Sequence, residues 1–167
     1  MIGEKLPPPF IPRKIEDFIY YYYAKLVIAP SAGFQLNYRF IISTYKKLKA
    51  KEILLSDYDR EIDLMLKDYA SKCIFCDKYS INLEPTNVVS RKWDIPFGMQ
   101  NIVMVCNNCK ESKGNKNLIK WWCEDLGKER DQIPRVAIGI YLKIAYEYHK
   151  TNFSLDKKCS NLIELFE

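Results

Sequence analysis

Two short cysteine pairs, Cys73-Ile-Phe-Cys76 and Cys106-Asn-Asn-Cys109, constrain this chain more than any other feature. Each pair brings two thiolates to one side of a tight turn. Together they supply four sulfur ligands with no position left open, the donor set of a structural zinc ion. Such an ion fastens segments too short to fold alone, because metal binding and folding share one free energy. Redox-active pairs or unliganded thiols are the other reading of the same spacing. The N-terminus MIGEKLPPPF lacks a basic stretch followed by an apolar core, and no run of 18 apolar residues occurs. Neither a secretory signal nor a membrane span is therefore readable, and the expected compartment is the cytoplasm, where disulfide frameworks are rare. Cys123 and Cys159 fall on expected helices without ligand partners and read as buried small hydrophobes.

The 29 residues between the pairs exceed what a zinc ribbon needs, so something is built inside the gap. Around it the apolar spacing is helical. The chain of 167 residues is long enough for one domain, with 12 Tyr and 8 Phe against only 6 Gly favouring packed helices over loops. The opening LPPPFIP reads as an extended arm, since proline fixes φ and removes donors. Helices are expected from Lys14 to about Ala29, ended by Pro30 and the turn SAGF, and from about Asn37 to Ala50. A third is expected from Ser56 as N-cap, carrying Ile62, Leu66 and Tyr69 toward the first cysteine. Lys116 to about Leu126 reads as a short helix stopped by Gly127, Ile133 to about His149 as a long one, and Leu155 to Phe166 as a C-terminal one. The expected class is α+β and mostly helical. The divisions are an N-terminal arm and helical region over 1–70, a cysteine-bearing module over 71–126, and helices over 127–167 packing on the rest as one unit.

Four consecutive tyrosines, Tyr20 to Tyr23, point in different directions around a helix and read as packing rather than as a stacking platform. Trp121 and Trp122 read as core, and Trp93 as a cover over the module, with stacking on a base as its other reading. The lone histidine, His149, reads as a cation or rim residue at a helix C-terminus. Charge is uneven: residues 72–120 hold eight basic and four acidic side chains, and the rest of the chain is nearly balanced at 18 against 17. A polyanionic partner is the expectation this carries, beside the plainer reading of a solvated lysine-rich surface.

Within the gap the chain reads LEPTNVVSR from Leu83 to Arg91, then GMQNIVMVC, then CNNCKESKGNK. This order resembles the HNH endonuclease family, the zinc-fastened branch of the ββα-metal nucleases, over about residues 70–122. The resemblance implies a ββα-metal module with Cys73, Cys76, Cys106 and Cys109 on a structural zinc. It also implies a nucleic-acid partner, DNA before RNA. In that family the first strand ends in an acidic residue or His, which helps hold a divalent metal, followed by a His that acts as general base. The matching positions are Thr86 and Asn87, a poor anionic ligand and an amide that takes up no proton at neutral pH. The family's loop-orienting Asn matches Asn101. Its last metal ligand, directly after the final cysteine, matches Lys110, a cation without a lone pair.

The resemblance thus implies binding without hydrolysis, and a catalytic divalent metal is not expected. Nucleic-acid contacts are expected at Arg91, Lys92 and Lys110, and at Lys113, Lys116 and Lys120 on one face of the helix after Cys109. Two readings stand beside this one. The first is an active endonuclease with an unconventional site, in which Tyr79 serves as base. The second is a structural or interaction subunit whose helical flanks dock a protein partner or a second copy.

Overall fold

The computed structural model describes residues 10–167, so the part of the expected N-terminal arm before Phe10 lies outside the described residues. Helix α1 (Ile15–Tyr23) continues through a π turn (Ala24–Ile28) into a last turn (Ala29–Ser31). Pro30 does not end it. Proline cannot donate to the carbonyl four residues back and clashes with it. The wider turn instead lets Ala29 N–H reach Ala24 O, five residues back, and the helix passes through Pro30. Gly33, at φ +77, then makes the turn.

Helix α2 (Tyr38–Lys49) starts at Asn37, whose side chain accepts the Phe40 N–H at 3.0 Å. Helix α3 (Asp59–Asp68) begins later than Ser56, because a 3-10 turn (Leu55–Tyr58) precedes it and the Asp57 carboxylate accepts from Leu54 N–H at 2.8 Å. The long helix α6 (Arg135–Thr151) is buried along most of its length and packs against α1 and α3. At Gly139 an added Cβ would stand 2.7 Å from Ile62 Cδ1, so a side chain there would displace the tip of Ile62 on α3. All four consecutive tyrosines are packed: Tyr20, Tyr22 and Tyr23 are buried, and Tyr21 meets Tyr22, Tyr45 and Phe10.

Between α3 and α6 lies the one sheet of the described residues. Strand β1 (Glu84–Asn87) pairs antiparallel with β2 (Ile102–Val105), and Glu84 faces Val105, Pro85 faces Met104, Thr86 faces Val103 and Asn87 faces Ile102. Helix α4 (Asn107–Lys113) follows at once and packs on β1. Helix α5 (Leu118–Lys120) runs into a second π turn (Trp121–Asp125) and stops at Gly127, φ +64. A 3-10 turn (Arg130–Gln132) leads into α6. The protein is mostly helical with a small two-stranded antiparallel sheet, an α+β arrangement. No described helix is long and apolar enough to cross a membrane.

The C-terminal helix expected from Leu155 to Phe166 does not form. The segment instead pairs with the start of α1: Lys158 bridges Lys14, Cys159 N–H donates to Arg13 O at 2.9 Å, and Ile15 N–H donates to Lys157 O at 2.9 Å. Only a short 3-10 turn (Leu162–Phe166) remains, started by Asn161, whose amide oxygen accepts from Ile163 N–H at 2.9 Å. Backbone groups spent on the N-terminal segment are not available to a helical ladder.

His149 is corrected as well. It is buried rather than a rim cation, with Nδ1 2.7 Å from Ser154 Oγ and Nε2 2.7 Å from the Leu165 carbonyl. A carbonyl only accepts, so Nε2 carries the proton and Nδ1 accepts from Ser154. Burial pushes the imidazole below its ordinary pKa, which keeps it neutral.

Candidate metal centre and the surface around it

The four cysteines of the two pairs come together although 29 residues separate the pairs. All four Sγ atoms lie within 4.8 Å of one another, and Cys76 Sγ is 3.7 Å from Cys106 Sγ. Four sulfurs at metal–sulfur bonds of ~2.3 Å in a tetrahedron stand about 3.8 Å apart, so the donor set is already spaced for a metal ion. Among the described residues it is the one His, Cys, Asp and Glu cluster placed to hold one.

Local backbone explains the placement. After Cys73 the chain makes a knuckle, in which Asp77 N–H donates to Cys73 O at 2.9 Å, Cys73 N–H to Lys78 O at 3.0 Å, and Asp77 takes φ +62. Ile74 N–H donates to Met104 O at 3.2 Å, which fastens the knuckle to β2. The second pair straddles the start of α4, with Cys106 as N-cap. Burial acts to raise the Cys106 thiol, but hydrogen bonds led by the Cys109 N–H outweigh it and bring the pKa down to about 7. Burial pushes Cys76 and Cys109 up. Cys123 and Cys159 stand apart from the cluster, Cys159 buried and Cys123 half-buried.

Strand alternation sorts the positions singled out on β1. Glu84 and Thr86 share the face of Val103 and Val105, both buried; Pro85 and Asn87 share the open face of Ile102 and Met104. Thr86 and Asn87 therefore diverge. Lys110 leans from α4 onto Glu84, Nζ to Oε2 3.4 Å, with both side chains roughly half exposed. The Asn101 amide grips the loop after β1. Its Oδ1 accepts from Val89 N–H at 2.8 Å, and its Nδ2 donates to Val89 O at 2.9 Å and to Asn87 Oδ1 at 3.3 Å.

The expected single face of lysines is not formed. Helix α4 ends at Lys113, because Gly114 turns the chain at φ +50, and Lys120 belongs to a separate helix. Lys113 is fully buried, and its Nζ donates to Asn87 O at 2.9 Å and to Lys116 O at 3.4 Å. Burial without a carboxylate brings its pKa down to about 8. The spacing pattern missed this, since a lysine buried against backbone carbonyls looks like any surface lysine in sequence. Lys116 is tied to Asp125 at 2.7 Å. Arg91, Lys92 and Lys120 remain exposed.

Arg91 borders an open groove of about 460 Å³ with Asn87, Asp94, Gln100 and Asn101. Trp93 packs against Tyr148 and Phe166, each with ring centroids 5.6 Å away, and Lys92 Nζ lies 5.4 Å from its ring, so it covers the core. Trp121 and Trp122 are buried, and their indole N–H groups donate to Ser112 Oγ and Glu129 O, both at 2.9 Å. Tyr79 is exposed beneath Lys72 Nζ, which stands 5.0 Å from its ring.

Comparison with family models, with curated proteins and with solved structures gave no match.

Proposed function

We propose that the protein is a zinc-fastened, HNH-like nucleic-acid-binding protein that does not hydrolyse its partner. Zinc is the ion that four thiolates at tetrahedral spacing favour, and a closed sulfur set leaves no position for a reacting water. The order β1, β2, α4 around that cluster, with the Asn101 amide holding the loop between the strands, is consistent with a ββα-metal module.

The observation that carries the non-hydrolytic reading is the Lys110–Glu84 pair. It puts an ammonium on the face shared with Thr86, where the resemblance calls for divalent-metal ligands. A cation there repels a metal, and no lone pair replaces what was lost. Asn87 lies on the other face with its carbonyl taken by Lys113, which supports the same reading. Of the basic residues expected to meet phosphate, Arg91, Lys92 and Lys120 are exposed and Lys110 is paired with Glu84. Such contacts position a backbone and read little sequence.

The test incubates the purified protein with single-stranded and duplex DNA and RNA, with and without Mg²⁺, Mn²⁺ or Ni²⁺. Retarded complexes at low salt with uncut strands are expected. Cutting that is lost on Tyr79→Phe would replace this reading with that of an active nuclease.

A protein partner is favoured instead by the open face of the sheet, where Ile102 and Met104 are exposed beside Pro85. That reading expects no nucleic-acid complex even at low salt.

A further inference from the structure

A cleft of about 610 Å³ is lined by none of the four clustered cysteines. Its floor is apolar, from Leu48, Ile62 and Ile140. Its rim carries Lys51, Lys143 and Lys150, together with Asp59, Asp63 and Glu147. The charges are not evenly mixed. Lys143 is ion-paired with Asp59, and Glu147 acts on the same ammonium, so two of the three acids, Asp59 and Glu147, gather around Lys143.

Lys51 and Lys150 are held differently. Lys51 Nζ lies 4.7 Å from the ring centre of Tyr20 and 5.5 Å from that of Tyr146, and hydrogen-bonds both hydroxyls; Lys150 Nζ is 5.9 Å from the Tyr146 ring. Among the described residues, no carboxylate lies within ion-pair reach of either. Rings hold an ammonium in place without neutralising it. Lys51 also takes φ +61, a left-handed conformation that a lysine adopts at a cost and that sets where its side chain leaves the chain.

The cleft meets the groove beside Arg91. Met99 and Gln100 line both concavities, so they form the ridge between the groove that Arg91 borders and the cleft that holds the two lysines. We propose that Lys51 and Lys150 form a phosphate subsite, and that one nucleic-acid strand crosses the Met99–Gln100 ridge from Arg91 into it. The proposal rests on the nucleic-acid reading above and names where the strand goes. An apolar floor beside two unneutralised ammoniums suits a nucleotide, which joins an anion to a flat apolar base.

The test titrates the full-length protein, metal content checked, into a fluorescein-labelled single strand of about 12 nucleotides. In parallel, a nucleoside 5′-monophosphate is followed by amide NMR shifts. Lys51→Gly removes the ammonium at a backbone conformation glycine adopts freely, and Lys150→Met keeps the stem. The double variant is expected to fold as the parent, to bind the strand at least about tenfold more weakly, and to lower the salt slope by about two. Unchanged strand binding in the double variant, with weakening by Arg91→Ala, overturns the subsite and leaves the nucleic-acid reading intact. No strand binding by the parent, with monophosphate shifts at Lys51 and Lys150, overturns both the strand path and that reading, and makes the occupant a free nucleotide. No response to either ligand overturns both outright.

Discussion

At the residue scale, Lys113 and His149 show how burial changes what a titratable side chain is for. Among the described residues no acid pairs with Lys113; its ammonium is held by the carbonyls of Asn87 and Lys116, joining the end of β1 to the end of α4. Lys113→Ala removes a buried stem and leaves the Asn87 carbonyl unpaired, so a loss of about 2–4 kcal/mol is expected in urea unfolding. Lys113→Met, which keeps the stem and removes the charge, should cost less, under about 2 kcal/mol.

The pH dependence follows from direction. The folded pKa of Lys113 is lowered to about 8 from an ordinary 10.5, so between those values the unfolded chain binds the extra proton. Its contribution to stability is therefore full above about 10.5 and is lost as pH falls to about 8. His149, also lowered, acts in the same sense further down, and stability falls as pH drops below its ordinary 6.5. Urea midpoints of the parent and of Lys113→Met across pH 7.5–10.5 check the first. A parent whose pH slope there matches that of Lys113→Met would exclude Lys113 as the source.

At the element scale the hairpin is the weakest piece. Two four-residue strands do not hold themselves in water, and a seven-residue helix adds little. What holds them is the cysteine cluster, the Asn101 clamp and the Ile74-to-Met104 hydrogen bond. On the proposed zinc-bound reading, removal of the ion by a strong chelator, or Cys106→Ser, is expected to abolish hydrogen-exchange protection of Val103 and Val105 while α1 and α6 stay protected. Loss of protection in α6 as well would show that the two regions unfold together. Asn101→Ala, which strips the loop of both Val89 contacts, is expected to cost about 1–3 kcal/mol and to release Val88 to Trp93, without lowering metal content.

At the scale of the whole molecule, the C-terminal segment is joined to residues 13–16 at the start of α1. The Lys14–Lys158 bridge and the Leu165 carbonyl on His149 make the last dozen residues part of the fold. Truncation after Phe153 takes away the partners of both His149 nitrogens and the buried Leu162, Leu165 and Phe166, and should leave a protein that unfolds many degrees lower in a thermal scan. Nucleic-acid binding, an outcome that rests on the proposal, should track the exposed cations and not the lysine spacing. Arg91→Glu with Lys92→Glu should weaken a labelled strand and flatten its salt dependence, whereas Lys116→Gln, whose ammonium is already taken by Asp125, should change neither by more than about twofold. Equal effects of the two changes would return Lys116 to the binding surface.

Sequence by itself determined what spacing and chemistry encode locally. Helical periodicity marked α1, α2, α3 and α6; Gly127 marked a stop; and two CxxC turns marked a cluster of four sulfurs, because each turn needs only neighbours in the chain to form. The tertiary structure alone decided what depends on distant partners. It decided that Lys113 is buried, since its carbonyl acceptor is Asn87 at the end of β1, and that Lys110 meets Glu84, since strand alternation puts Glu84 on the face toward α4. It decided that the C-terminal segment pairs with residues 13–16 instead of coiling, because a backbone donor given to one partner is withdrawn from the other.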